Sequence, residues 1–69
     1  MKRKIYLTSD TWQRLTELTQ RHTGKESVDI DDRKAYVKET FNGNFKTTPE
    51  WGSVIFTEFD DYNRFLINL

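Results

Sequence analysis

Polar and apolar residues alternate at the start of the chain. In KRKIYL, residues 2–7, Ile5 and Leu7 fall on one side and Lys4 and Tyr6 on the other, which is the period of a half-buried strand. The period then changes. In LTSDTWQRLTELTQRHTG the apolar positions Trp12, Leu15 and Leu18 make one narrow helical stripe. Thr8 is placed to cap the free N–H groups, Leu7 and Trp12 occupy the two positions of a hydrophobic staple, and Asp10 suits the positive end of the helix dipole. Arg21 and His22 in the last turn and Gly24 after it supply the closing signals.

KESVDIDD, residues 25–32, is polar and acidic and reads as a loop. RKAYVKETFNGNFKTT reads next as a β-hairpin turning at Asn42-Gly43, because a tight two-residue turn needs positive φ at both positions. Ala35, Val37 and Phe41 then share one side, while Tyr36 and Lys38 share the other with Phe45. A helix over residues 31–41, capped by Asp31, is the competing reading. Pro49 and Gly52 frame a break at PEWG. Val54-Ile55-Phe56 is apolar on both faces and suits a central strand. Last, Tyr62, Phe65, Leu66 and Leu69 stand at i, i+3, i+4 and i+7, which predicts a short amphipathic helix capped by Asp60, with Ile67 off its stripe. A helix that short is stable only when docked.

The elements sum to an α+β fold in the order β-α-β-β-β-α, with an antiparallel sheet of about four strands and two helices packed on one face. Sixty-nine residues make a single compact domain over 1–69. Such a chain buries only about 60% of its unfolded surface. With no cysteine present, neither disulfides nor thiolate metal sites can reinforce it. Ten aromatic residues must supply much of the core. The apolar run after the basic start is too short for a signal peptide or a membrane span, so the expected setting is cytoplasmic, with no membrane contact.

Formal charge is zero but unevenly spread: residues 1–25 carry a net +4 and residues 26–69 a net −4. A neutral total argues against a general nucleic-acid binder. No constellation of side chains points to catalysis. In the acidic stretch Asp29 and Asp31 match the first two ligand places of a calcium loop, but Arg33, Lys34 and Thr40 occupy places that need a ligand, a glycine and a bidentate glutamate. His22 is the single histidine and has no nucleophile or orienting group in its neighbourhood of sequence. The three glycines are scattered, so they build no phosphate-cradling loop. The expectation is a chain without metal or cofactor, and not an enzyme.

What remains is a surface. If the helices cover one face of the sheet, the other face presents Lys4, Tyr6, Lys34, Tyr36, Lys38 and Phe45, with Trp51 as either a lid on the core or an exposed anchor. Aromatic anchors among cations suit a protein interface. The function expected is a small non-catalytic protein-binding module, a regulator or inhibitor that occupies a surface of a partner protein. A symmetric homodimer is a version of the same interaction. The alternative is an accessory module for single-stranded nucleic acid, with rings stacking on bases and lysines meeting phosphates.

Overall fold

The computed structural model describes residues 2–69. Its elements are β1 (Arg3–Tyr6), α1 (Ser9–Thr23), α2 (Ile30–Phe41), β2 (Asn44–Lys46), β3 (Ser53–Phe56) and α3 (Phe59–Asn68). The α+β class and the antiparallel sheet are as the sequence predicts. The described residues form three strands and three helices, rather than four strands and two helices.

The first helix forms where its end signals place it. Thr8 is the N-cap: its hydroxyl accepts the Thr11 N–H, and the Thr11 hydroxyl accepts the Thr8 N–H in return. Gly24 closes the helix in the left-handed region at φ 74°, with its N–H donated to the Gln20 carbonyl. Leu15 and Thr19 are fully buried along the inner side. Thr19 is accommodated there because its hydroxyl donates to the Leu15 carbonyl at 2.7 Å.

The first arm of the expected hairpin is instead helix α2, and the physical reason lies at its two ends. Asp29 caps the start, accepting the Asp32 N–H at 2.8 Å while the Asp32 carboxylate accepts the Asp29 N–H. At the other end Asn42 adopts the left-handed region at φ 55°. The Asn42 N–H donates to the Lys38 carbonyl, the bond of a left-handed helix cap, and the Gly43 N–H donates to the Val37 carbonyl. Of the two positive φ angles that a hairpin turn would need, the helix end uses only that of Asn42, and Gly43 does not adopt one.

Arg33 hides the helical period of this segment. It occupies a core position between Ile30 and Val37 and is buried, with Nη1 donating to the Val28 carbonyl and Nη2 to the Thr16 hydroxyl at 2.9 Å. Its guanidinium carbon lies 4.3 Å from the Trp12 ring centroid, so the cation rests on an aromatic face and joins α2 to α1. Burial lowers its pKa, an effect that the nearby Asp29 and Asp32 charges oppose.

The sheet order is β1-β3-β2, which puts Val54-Ile55-Phe56 in the central strand as its two-sided apolar pattern predicts. Both pairings are antiparallel. Tyr6 lies opposite Ser53, which lies opposite Lys46; Lys4, Ile55 and Asn44 make a second row; Ile5, Val54 and Phe45 make a third. Side chains of one row share a face, and adjacent rows point to opposite faces. The row of Ile5, Val54 and Phe45, together with Phe56, faces a core completed by Leu7, Leu15, Tyr36, Val37, Phe41 and Phe65. All three helices contribute to that core, so the helices share one side of the sheet.

The C-terminal helix forms and docks as its spacing predicts. Phe65 is fully buried, with its ring centroid 5.3 Å from those of both Phe41 and Phe56. The cap position is Glu58 rather than Asp60, and Leu66 is largely exposed rather than buried. Ile67 is 82% exposed, in keeping with its place off the stripe. Arg64 ties this helix to the end of α2, donating to the Thr40 carbonyl and to Asp61, which in turn accepts from Asn42.

Candidate functional site

The sheet side opposite the helices carries the rows Tyr6–Ser53–Lys46 and Lys4–Ile55–Asn44. Tyr6 is 69% exposed, and Lys2, Lys4, Asn44, Lys46 and Thr57 are exposed around it. Ile55 sits at the centre of this face, largely shielded by the side chains that flank it, as the long aliphatic stems of lysine allow. The face is not flat. One depression of about 320 Å³ is lined by Lys2, Lys4 and Ile55, and a wider one of about 500 Å³ by Lys2, Asn44, Phe45, Lys46, Ile55 and Thr57.

Its electrostatics are one-sided. No aspartate or glutamate lies in any of the three strands. Among the described residues, no ion pair engages Lys2, Lys4 or Lys46, whereas Lys25 is held by Asp32 at 2.9 Å and Arg64 by Asp61 at 2.9 Å. The Lys4 ammonium lies 5.2 Å from the Tyr6 ring centroid, so the two side chains form a small cation–π unit on the surface.

The site residues nominated from the sequence divide into four groups. Lys4 and Tyr6 stand on the open face as expected. Tyr36 and Phe45 do not join them: they are 6% and 5% exposed and belong to the core. Tyr36 turned inward because its segment is helical, where it packs edge-on to Phe41 at 5.7 Å and 5.1 Å from the His22 ring. Phe45 turned inward because its parity is fixed by pairing with Val54, not by a turn at Asn42-Gly43. Lys34 and Lys38 are exposed, but on α2, away from the sheet. Trp51, 41% exposed, leans on Trp12 with ring centroids 6.0 Å apart, so it is partly a lid and partly an exposed ring.

Sequence reasoning missed Lys2, Asn44, Lys46 and Ile55 as members of the face. The strand parity of KRKIYL could have given Lys2. Lys46 and Asn44 follow only once β2 is known to pair with β3.

The acidic stretch has structural work. Asp29 and Asp32 form the capping box of α2, and Lys25 holds the Asp32 carboxyl below the usual carboxylate range. His22 Nε2 lies 3.5 Å from a Glu39 carboxylate oxygen. Among the described residues, no three of the His, Asp or Glu side chains come together closely enough to hold a metal ion, and no helix is long and apolar enough to cross a membrane. Compared with known protein families, curated proteins and solved structures, the chain matches none.

Proposed function

We propose that this chain is a small non-catalytic protein-binding module that docks the helix-free face of its sheet on an acidic surface of a partner protein, and that it acts as a regulator or inhibitor by occupying that surface. One observation carries the reading: Lys2, Lys4 and Lys46 surround Tyr6 and Ile55 on a strand set that contains no carboxylate. A tyrosine beside cations that no described carboxylate holds offers apolar area, a hydrogen-bonding tip and charge, the mixture that interface centres favour. Complementary charge adds to association rate and to discrimination between partners more than to affinity.

The nucleic-acid alternative is weaker on this geometry. Stacking needs successive rings along the strand path, and with Tyr36 and Phe45 in the core only Tyr6 remains on the open face.

The test uses the tagged full chain as bait in a lysate of the source organism. Lys46→Glu and Lys4→Glu reverse charge on the face without touching the core. A stoichiometric companion held by the native chain and lost by both variants, each still folded by circular dichroism, supports the reading. A companion retained by both variants rejects it. Binding of mixed-sequence DNA or RNA at low salt, weakened by the same variants, would replace it with the alternative.

A further inference from the structure

Among the described residues, the order β1-β3-β2 leaves β1 with no strand on its outer side. Which of its backbone groups are free follows from one hydrogen bond. The Leu7 N–H donates to the Gly52 carbonyl at 2.9 Å, and Leu7 lies opposite Gly52 in the register. In an antiparallel ladder, residues that bond inward alternate with residues that bond outward. Leu7, Ile5 and Arg3 therefore direct their N–H and C=O groups to β3, and Lys4 and Tyr6 direct theirs away from the sheet. The same alternation applied across β3 makes Asn44 and Lys46 bond inward from β2. The other edge thus has Phe45 alone bonding outward within its strand. β1 is the better template.

The side chains along that edge are asymmetric. On the open face stand Lys2, Lys4 and Tyr6. On the helix side stand half-buried Ile5 and the Arg3 guanidinium, which lies 5.7 Å from the Phe59 ring and 5.6 Å from the Tyr62 ring. Phe59 itself is about half exposed. An extended segment laid beside β1 alternates its side chains between these two environments, one cationic and one apolar. Lysines on an edge strand oppose chance pairing with another cationic or purely apolar strand, and the same charges favour an acidic one.

From these observations we infer that β1 takes an extended acidic segment of the partner as an additional strand, with acidic side chains toward Lys2 and Lys4 and apolar side chains toward Ile5 and Phe59. This deepens the reading of the open face as a protein-binding surface and rests on it. Main-chain bonds to Lys4 and Tyr6 supply affinity, and the two-sided alternation supplies selectivity.

Proline isolates the backbone component. The Tyr6 N–H points away from the sheet, so proline there removes a donor that the fold does not use, and edge strands tolerate proline in that orientation. Tyr6→Ala removes the ring but keeps the N–H. The probe is a short labelled peptide of alternating glutamate and valine, followed by fluorescence anisotropy on the full chain, with a lysine–valine peptide as its charge-reversed counterpart. The expected result is binding of the acidic peptide alone, weakened by added salt, and weakened about tenfold more by Tyr6→Pro than by Tyr6→Ala, the loss on the order of one buried hydrogen bond. Lys4→Pro against Lys4→Ala repeats the comparison if Tyr6→Pro does not fold. Equal losses for the proline and alanine variants overturn the added strand while leaving face docking intact, because Lys46→Glu on β2 reports on the face alone. Binding of both peptides, or of neither, also overturns it. So does a dimer in sedimentation that Tyr6→Pro dissociates, which would assign the edge to a second copy of this chain.

Discussion

At Asn42 the backbone turns left-handed, and the next residue, Gly43, passes so close to the core that it has no room for a side chain. A Cβ there would lie 2.7 Å from Cε1 of Phe56 and 2.9 Å from Cγ1 of Val37. Its necessity is therefore steric, whereas Asn42 is needed for its tolerance of positive φ. Gly43→Ala should destabilise the chain by about 1–3 kcal/mol, the usual cost of overpacking, while Asn42→Gly, which keeps the left-handed backbone and loses only the exposed bond to Asp61, should cost less than about 1 kcal/mol. Urea denaturation of the two variants reads the difference, and a Gly43→Ala protein as stable as the native one would contradict the packing described. Asn42 was thus legible as a left-handed residue, but the positive φ expected at Gly43 is not adopted, and the pair was not legible as the end of a helix. Arg33 was the other illegible residue. A buried cation on a tryptophan face breaks the apolar stripe by which the sequence would have declared α2.

At the scale of the element, α2 draws on its capped ends as well as on the burial of Tyr36, Val37 and Phe41. Asp29→Ala should cost about 1 kcal/mol, the value of a lost N-cap, and the loss should appear as reduced helicity and a lower midpoint in thermal melts followed by circular dichroism. The same cap makes the helix sensitive to acid. The Asp32 carboxyl is held below its ordinary pKa first by its hydrogen bond to Lys25 and then by the Asp29 N–H. The Asp61 carboxyl, which links α3 to α2, is lowered by Arg64 and then by Asn42. A carboxylate whose folded pKa lies below its unfolded value stabilises the fold above that unfolded value, about 3.9 for aspartate, and ceases to do so as pH falls through the folded value. Thermal stability should therefore hold from neutrality to about pH 5 and decline below about pH 4. Asp32→Asn should blunt that decline, and a variant that keeps the full acid sensitivity would exclude Asp32 as a source. By contrast, α1 and α3 were readable from sequence. One carries end signals on both sides and the other an uninterrupted stripe, and both signals are local.

For the whole molecule, the aromatic core is where stability concentrates. Phe41, Phe56 and Phe65 meet from α2, β3 and α3, so one ring joins three elements. Phe65→Ala should cost about 3–5 kcal/mol, against a total of roughly 5 kcal/mol expected for a chain of this length. That leaves about 2 kcal/mol or less, so the variant should lose its near-ultraviolet dichroism on mild heating, far below the native midpoint. Ile67→Ser, two residues on and exposed, should stay within about 0.5 kcal/mol of the native chain. A Phe65→Ala protein that melts cooperatively near the native midpoint would show that the three elements do not depend on that junction.

The chain's own residues determined whatever is decided within a few positions: the caps of α1, the stripe of α3, the two-sided strand β3, and the parity that sets Lys4 and Tyr6 against Ile5 and Leu7. Tertiary structure decided the rest. A left-handed Asn42 suits both a hairpin and a helix end, and packing of the preceding segment against α1 and the sheet selects between them. The parity of a three-residue strand such as Asn44–Lys46 is likewise set by its partner across the ladder, which is why Phe45 lies in the core and Lys46 on the open face.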